Sequence, residues 1–575
     1  MKNSKQVLNH SASHILGMAI KNIYPKARLG NGIGEDDQFY YDVDFATPIK
    51  NEDLPKLETE MKRLVKSNLQ ITAGVEKTKT DSKKMFEKSG DIYKTDLIAD
   101  MTVDGKVIFM KIGDFLDLCK GKEHIRYSSQ IKAFKLTAIT GAYWRGKAEN
   151  KMLTRIYGVA FENKAELEQY ELAQEEVRRR DHNKIGRELE LFTTVDIVGQ
   201  GLPHMLPKGA KVLQILQRFV EDEEERRGYQ HVKTPLLAKK ELYELSGHWK
   251  MYKDGMFVIG NELFDDEVFA LSPMTCPFHF FIYKTQVRSY RDLPIRYGET
   301  RLLFRNENSG EMHGLTRMRQ FTLSEGHIIA RPDQVQQVFD ECLDLTNFLM
   351  GKLGIADKVS YRLSKWDAKN KKKYMGKAEA WEKSQDELRR VLQRHKLPFV
   401  EVDGDAAFYG PKIDIQATNV YGKEDTIITI QLDFALAERY DMTYIDENGE
   451  KQRPLIIHRS SVGCYERTLA MLIEHYAGAF PVWLAPIQAV VMGISNRQDD
   501  YVESVYRQLL QAGIRAEKDM RAEKVGKKIR EHTMAKVPYL IIVGEKEQDE
   551  KVISVRTREG DDKGNMSVAE FIKLI

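Results

Sequence analysis

Residues 302–330, LLFRNENSGEMHGLTRMRQFTLSEGHIIA, decide how the chain is read. Their composition predicts two extended runs, 302–308 and 315–330, joined by a loop whose Ser309, Gly310 and Gly314 are turn formers. Alternate side chains of a strand share a face. Arg317, Arg319, Phe321, Leu323, Glu325 and His327 would therefore point one way, with Arg305 and Glu307 doing so on the first run. Such a face is too ionic for a core. Guanidiniums grip phosphate oxygens bidentately, a phenyl ring can lie on a base, and an imidazole can hold a metal. A solvated face of an antiparallel sheet is the plainer reading, and residue types alone leave both open.

The order of the residues separates the two readings. An Arg-x-Glu, a loop, then Arg-x-x-x-Phe resembles motif 2 of class II aminoacyl-tRNA synthetases, and the continuation to His327 resembles the threonyl-tRNA synthetase family. The resemblance implies that Arg305 holds the α-phosphate of ATP and the amino-acid carboxylate. It also implies that Glu307 meets the adenine amino group, Phe321 stacks on the ring, and Arg317 contacts the γ-phosphate. Glu325 stands where the family usually has Asp, and Leu323 and Gly326 also depart from the commoner residues. Those departures bear on substrate contacts and leave the ATP scaffold intact.

The length of 575 residues predicts about three to four domains, and 42% hydrophobic residues are ample for packed cores. A formal charge of +3 is close to neutral, so any contact with RNA must come from local patches. The four cysteines, Cys119, Cys276, Cys342 and Cys464, lie far apart, which suits a reducing cytosol better than a disulfide scaffold. No apolar run is long enough to span a bilayer, and the first 25 residues lack the apolar core and cleavage site of a signal peptide. A cytoplasmic protein with no membrane partner is expected.

The N-terminal segment begins with a helix-like run carrying His10, His14, Leu16 and Ile20, followed by a strand-like QFYYDV and an amphipathic helix over 51–66. His10 and His14 are spaced i, i+4 on one helical face, where two imidazoles can converge, although such pairs are more often incidental. DFLDLCKGKEH adds Cys119 and His124 just after Asp117 and could complete a polar cluster. HSASH, then a Cys with a nearby His, then GAYWRGKAENKMLTRIYG at 141–158 resembles the second N-terminal domain of bacterial threonyl-tRNA synthetases. That domain hydrolyses seryl groups wrongly attached to tRNA. The resemblance makes His10, His14, Asp117, Cys119 and His124 an editing site. Cys119 and His124 are separated by one residue more than the usual Cys-x-x-x-His, and Lys147 stands where an Asp is usual. A small ubiquitin-like domain found before this one in many members is expected to be missing, since HSASH begins almost at Met1.

Residues 164–191 are rich in helix formers and charge and read as a linker helix, whose RRRDHNK at 178–184 suits solvent and a tRNA backbone equally. Next, VLQILQRFVEDEEERRG leads into YQHVKTPLL, where Pro235 ends the run. This resembles motif 1, which implies a homodimer interface. ALSPMTCPFHF holds Cys276 between two prolines, AAFYGPKIDI puts Tyr409 and Lys412 around a Gly-Pro turn, and TIQLDF carries Gln431. IIHRSSVGCYERTLAML supplies His458, Gly463 and Arg467 and resembles motif 3, whose Arg binds the γ-phosphate. The resemblance thus implies catalytic Arg305, Arg467 and Lys412, ATP contacts that include Gln431, and threonine contacts at Glu325 and Tyr409. It also makes Cys276, His327 and His458 ligands of one Zn2+ per chain, and three N/S ligands leave a tetrahedral position open.

From 486 to 575, strand-like AVVMGI, YLIIVG and VISVRTR alternate with helix-like segments, which predicts a small α/β domain with a mainly parallel sheet. DMRAEKVGKKIREH, VPYLIIVGEKE and VRTR resemble an anticodon-binding domain, implying anticodon contacts at Lys524, Lys536, Glu547 and Arg556. Ala522 replaces the usual Asn there. The expected fold is an α+β multidomain chain: an α/β editing-like domain over 1–163, the linker helix over 164–191, a class II antiparallel-sheet catalytic domain over 192–483, and an α/β anticodon-binding domain over 484–575. The implied function is ATP-dependent activation of L-threonine, with Mg2+, and its transfer to tRNA(Thr), together with editing of seryl-tRNA(Thr). A non-catalytic RNA-binding protein and a synthetase for serine or proline are the rivals. The ATP-site arginines speak against the first, and the Cys276, His327, His458 set against the second.

Overall fold

The computed structural model describes residues 4–103, 105–119, 123–147 and 149–575. They form two compact units, Met1–Glu176 and Val177–Ile575. No helix among the described residues is long and apolar enough to cross a membrane.

In the first unit, the helix Ser4–Ile23 buries Leu8, Ala12, Ile15, Leu16, Ala19 and Ile20, spaced three and four apart. It packs on a four-stranded sheet in the order Arg28–Gly34, Phe39–Asp44, Met152–Phe161, Ala133–Tyr143, whose Phe39, Tyr41 and Ile156 share its core. A second sheet pairs Lys106–Ile112 with Ile71–Thr78, Thr102–Val103 and Phe115–Leu118. All of these pairings are antiparallel. The first strand ends against the helix at His10. A Cβ on Gly34 would stand 2.1 Å from the His10 amide nitrogen, so only glycine permits that approach. The amphipathic helix falls at Leu54–Lys66, with Leu57, Met61 and Leu64 buried.

The single linker helix is in fact two, Lys164–Arg180 and His182–Glu188. Asp181 leaves helical geometry and its carboxylate accepts from the Lys184 amide, so it caps the second helix and ends the first.

The second unit is built on an eight-stranded sheet. Its order is Gln230–His231, Ile295–Phe304, Gln320–Ala330, Leu455–Cys464, Glu424–Asp433, Lys412–Thr418, Val359–Lys365, Phe399–Asp403. The central pairings are antiparallel and the two outermost are parallel. The helices Pro207–Arg226, Val335–Lys352, Ala378–Arg394 and Tyr465–Tyr476 contribute to the main apolar core, with Leu216, Phe339, Leu388 and Leu469 fully buried. The hairpin quoted at the outset is shorter than its composition suggested. Its strands stop at Phe304 and resume at Gln320, so Arg305, Glu307, Arg317 and Arg319 belong to the connecting loop. There the Arg305 amide donates to Arg319 O and the Arg319 amide to Gly201 O, a loop pairing outside the strands.

The C-terminal sheet has the order Ala516–Asp519, Ala489–Gly493, Tyr539–Val543, Ile553–Thr557, Asp562–Met566. Two pairings are parallel and two antiparallel, so the sheet is mixed and not mainly parallel. The segment between Val543 and Ile553 is shorter than the dozen or so residues a parallel crossover needs, and the chain turns back on itself.

Candidate active site

Residues opposed across antiparallel strands share a face. The register opposes Lys412 to Gln431, Gln431 to His458, and His458 to His327, giving one row across four strands. Two residues along, Glu325 opposes Ser460. Over this face opens a cavity of about 560 Å³, lined by Cys276, Arg305, Phe321, Glu325, Tyr409, Gln431, His458 and Arg467 among others.

Cys276 begins the helix Cys276–Tyr283, started by Pro277, and its thiol approaches the row from outside the sheet. The ligand atoms of Cys276, His327 and His458 lie within 4.8 Å of one another, and all three residues are buried. Burial, with His458, His279 and Arg459 adding to it, holds His327 well below the usual imidazole range, so the ring is neutral. Its Nε2 is buried without a hydrogen-bond partner. His458 Nε2 is 3.0 Å from Asp433 Oδ2, which keeps the proton on Nε2 and the lone pair on Nδ1. Burial, then Glu325 and Asp433, push the Cys276 thiol well up. A divalent cation reverses that preference by taking the thiolate as ligand. An orphaned imidazole nitrogen beside a second imidazole and a thiol fits Zn2+.

Tyr409 donates to Gln431 Oε1 at 2.6 Å, and its ring stacks on His458 at 4.9 Å. The Thr275 amide donates to Glu325 Oε2 at 3.1 Å, and the Thr275 hydroxyl donates to the same oxygen. The longer Glu325 is thereby drawn toward the start of the Cys276 helix. The Arg305 guanidinium lies 5.0 Å over the Phe321 ring, and its Nε is buried without a partner. Arg317 is engaged by Glu307 at 2.8 Å and Glu311 at 3.0 Å, all three lying on the loop. Arg467 donates to Thr316 O and Thr426 O at 3.0 and 3.1 Å. Gly463, at φ +67°, lets the chain pass Ile427 O, which a Cβ would meet at 1.9 Å. Two residues differ from expectation in position: Arg319 donates back to Glu307 O, and Lys412 pairs with the buried Asp414, outside the cavity lining.

Sequence reasoning missed His248. It lies in the short helix His248–Tyr252, off the sheet, lines the cavity and packs edge-on to Phe408. Burial, with His458 and Arg439, brings its pKa down to about 3, so it too is neutral. No periodicity marks it.

In the first unit, His10, His14, Cys119 and His124 bring their ligand atoms within 4.8 Å of one another. Cys119 Sγ is 3.2 Å from His124 Nε2, and Ser11 Oγ is 3.2 Å from His124 Nδ1. The extra residue between Cys119 and His124 thus leaves His124 in the cluster; residues 120–122 lie outside the described residues. His14 Nδ1 is 2.7 Å from Asp117 Oδ2. Lys94, on the helix Ile92–Met101 and also missed, reaches Asp117 Oδ1 at 2.5 Å, and Tyr41 donates to Oδ2 at 2.7 Å. Burial lowers the His14 pKa, but the Asp117 and Cys119 contacts outweigh it and carry it up to about 9. Burial likewise opposes the Asp117 charge, yet Lys94 and His14 hold the carboxyl far below its usual range.

Of the expected anticodon residues, Lys524 precedes the helix Val525–Met534 and is exposed, and Arg556 is exposed on the strand Ile553–Thr557. Lys536 lines a small cavity with Leu189 and Phe480. Glu547 Oε2 accepts from the Gly544 amide at 2.9 Å, capping the helix Glu545–Glu550.

Comparison with known proteins agrees with this organisation. Residues 260–476 match the tRNA synthetase class II core domain (G, H, P, S and T), 488–575 the anticodon binding domain, and 107–157 the threonyl and alanyl tRNA synthetase second additional domain. The chain is 55% identical over 572 residues to the threonine–tRNA ligase of Clostridium botulinum (strain Alaska E43 / Type E3), covering 99% of this chain and 88% of that one. It is 44% identical to that of Geobacillus kaustophilus (strain HTA426), covering 100% and 88%. A crystal structure of the RNA binding domain of threonyl-tRNA synthetase from Cryptosporidium parvum Iowa II superposes with a TM-score of 0.65 at 34% identity, covering 68% of this chain and 97% of that one. With editing-type, class II core and anticodon-binding domains in that order, and relatives similar over nearly the whole of this chain, the chain belongs to the threonyl-tRNA synthetase family.

Proposed function

We propose that the chain activates L-threonine with ATP, passes it to the 3′ end of tRNA(Thr), and hydrolyses seryl-tRNA(Thr) in its first unit. The observation that carries the reading is a single cavity lined by Cys276 and His458, with His327 buried behind them, and by Arg305, Phe321 and Arg467. In it an amino acid and a nucleotide can meet.

Arg305 grips the α-phosphate and the threonine carboxylate together, and Phe321 stacks the adenine whose amino group Glu307 accepts. Arg317 exchanges its loop carboxylates for the γ-phosphate, and Arg467 holds the same end. Mg2+ arrives with ATP and balances its charge. The carboxylate oxygen bonds to the α-phosphorus as pyrophosphate leaves, and alignment of the two supplies most of the acceleration. Gln431 contacts the nucleotide, and Lys412, held on the same sheet row by Asp414, joins Arg305 and Arg467 in the catalytic set. Cys276, His327 and His458 hold one Zn2+, which when bound is a Lewis acid for the threonine amino and hydroxyl groups. Glu325 and Tyr409 border that hydroxyl. Valine lacks it, and a site built around a polar group rejects the analogue without one. Serine keeps both groups and is smaller, so it enters. His10, His14, Asp117, Cys119 and His124 then form the hydrolytic site that removes it. Lys524, Lys536, Glu547 and Arg556 contact the anticodon. The helix Pro207–Arg226 and the segment to Pro235 pair two copies into a homodimer, which acts in the cytoplasm.

Amino-acid-dependent ATP–pyrophosphate exchange tests the first step. Threonine should support exchange, serine weakly and valine hardly. Absence of exchange with threonine would overturn the assignment, and a purely monomeric mass by light scattering at micromolar concentration would remove the dimer.

A further inference from the structure

Behind the Cys276, His327 and His458 set runs a chain of buried polar contacts that touches no substrate. His327 Nδ1 lies 2.8 Å from His279 Nδ1, and the two rings meet edge to face. His279 Nε2 lies 3.1 Å from Glu299 Oε2. Thr234 gives the same carboxylate its amide at 2.6 Å and its hydroxyl at 2.9 Å. His279 and His327 are wholly inaccessible and Glu299 nearly so.

We propose that His279 and Glu299 are positioning residues that fix His327 in the tautomer whose Nε2 lone pair faces Cys276 and His458, an inference that rests on the zinc reading above. The argument follows the protons. Burial opposes the Glu299 charge, but its contacts with His279 and Thr234 outweigh it and lower its pKa, so the carboxylate only accepts. His279 therefore carries its hydrogen on Nε2 and presents a lone pair at Nδ1. One of two ring nitrogens 2.8 Å apart must donate, and that is His327 Nδ1–H. With that hydrogen on Nδ1, the lone pair is left on Nε2, the buried atom that no group donates to. The opposite tautomer would bury an N–H at Nε2, an atom with no hydrogen-bond partner.

His279 and Cys276 stand three residues apart on the helix Cys276–Tyr283, a spacing that puts them on one face. One helical turn thus supplies a ligand and the group that orients another ligand. Thr234, beside Pro235, fixes the far end of the relay.

The test uses the full-length chain, stripped of metal and titrated with Zn2+ against a chromophoric chelator, and the visible spectrum of the Co2+-loaded form. His279→Leu should weaken zinc binding by about 10- to 100-fold and alter the Co2+ bands, since partners of ligating imidazoles contribute at that level. His279→Gln, whose amide can accept from His327 and donate to Glu299, should recover most of the affinity and the wild-type spectrum. His279→Asn is polar but too short to touch both partners and carries the same expectation as leucine, should the leucine chain not fold. Wild-type affinity in the Leu or Asn variant overturns the relay while leaving the zinc reading in place. A glutamine variant no better than leucine also overturns it, because packing alone would then explain the loss. A wild-type chain that takes up no Zn2+ removes the zinc reading itself, and the relay with it.

Discussion

The two histidine–cysteine clusters are made of the same residue types and hold their protons in opposite ways. In the first unit, His14 rests on Asp117, and its pKa rises to about 9. In the second, His327 meets only another imidazole through Nδ1 and is pushed down by burial. A charged imidazole has no lone pair for a metal, whereas a neutral one with an orphaned nitrogen has little else to do. The difference between these two rings lies in their neighbours: Asp117 stands directly on His14, whereas the carboxylate behind His327, Glu299, is one residue removed. It teaches that residues of the same types can differ in charge according to what stands behind them.

The strongest way to break this contrast is to remove the metal. Stripping Zn2+, or making Cys276→Ala, should lower threonine-dependent exchange by ~10³-fold or more while seryl-tRNA deacylation continues. Loss of both activities would mean that the first cluster also depends on metal. Arg305→Ala should cost about 2 to 4 kcal/mol of activation free energy in exchange, again sparing deacylation and the fold; a near-normal exchange rate would show the phosphate grip to lie elsewhere. The converse variant, His10→Ala with His14→Ala, should slow deacylation of preformed seryl-tRNA about a hundredfold at unchanged exchange. Equal, slow rates in wild type and variant would make the first unit a tRNA-binding appendage despite the placement of His124.

The smallest effect is one of pH. His14 is raised from 6.5 to about 9, so its contribution to stability is complete below pH 6.5 and fades as pH rises to about 9. Hydrogen exchange should report weakening protection of the helix Ser4–Ile23 across that window. Asp117 acts in the other direction: its stabilisation is present above the ordinary carboxylate range and is lost only in strong acid. Protection that strengthens between pH 6.5 and 9 would contradict the charge assigned to His14.

Much of this was legible in the sequence. The alternation that put Glu325 and His327 on one face is a property of strands, and the i, i+4 spacing of His10 and His14 a property of helices. Contacts across long separations carry no such mark. Cys276 and His458 join His327 only through helix start and sheet register, and the resemblance alone indicated them. Lys94 sits in a helix that reads as ordinary, and only tertiary packing reveals its burial against Asp117. The ends of the 302–330 hairpin were misread because Arg305 and Leu315 suit a strand as well as a loop. The mixed C-terminal sheet was missed because alternating strand and helix looks the same whether or not the last connection is long enough to cross over.

The row formed by Lys412, Gln431, His458 and His327 has a consequence for how such a chain can change length. Each strand contributes one side chain, so an insertion or deletion inside any of them moves its contributor to the opposite face of the sheet. Indels in Gln320–Ala330, Leu455–Cys464, Glu424–Asp433 or Lys412–Thr418 should therefore be lost together with activity, while those at the exposed loop positions 308–310, outside the strands and the cavity lining, can be absorbed. A library of single-residue deletions scored for growth or exchange would draw the outline of the sheet from viability alone.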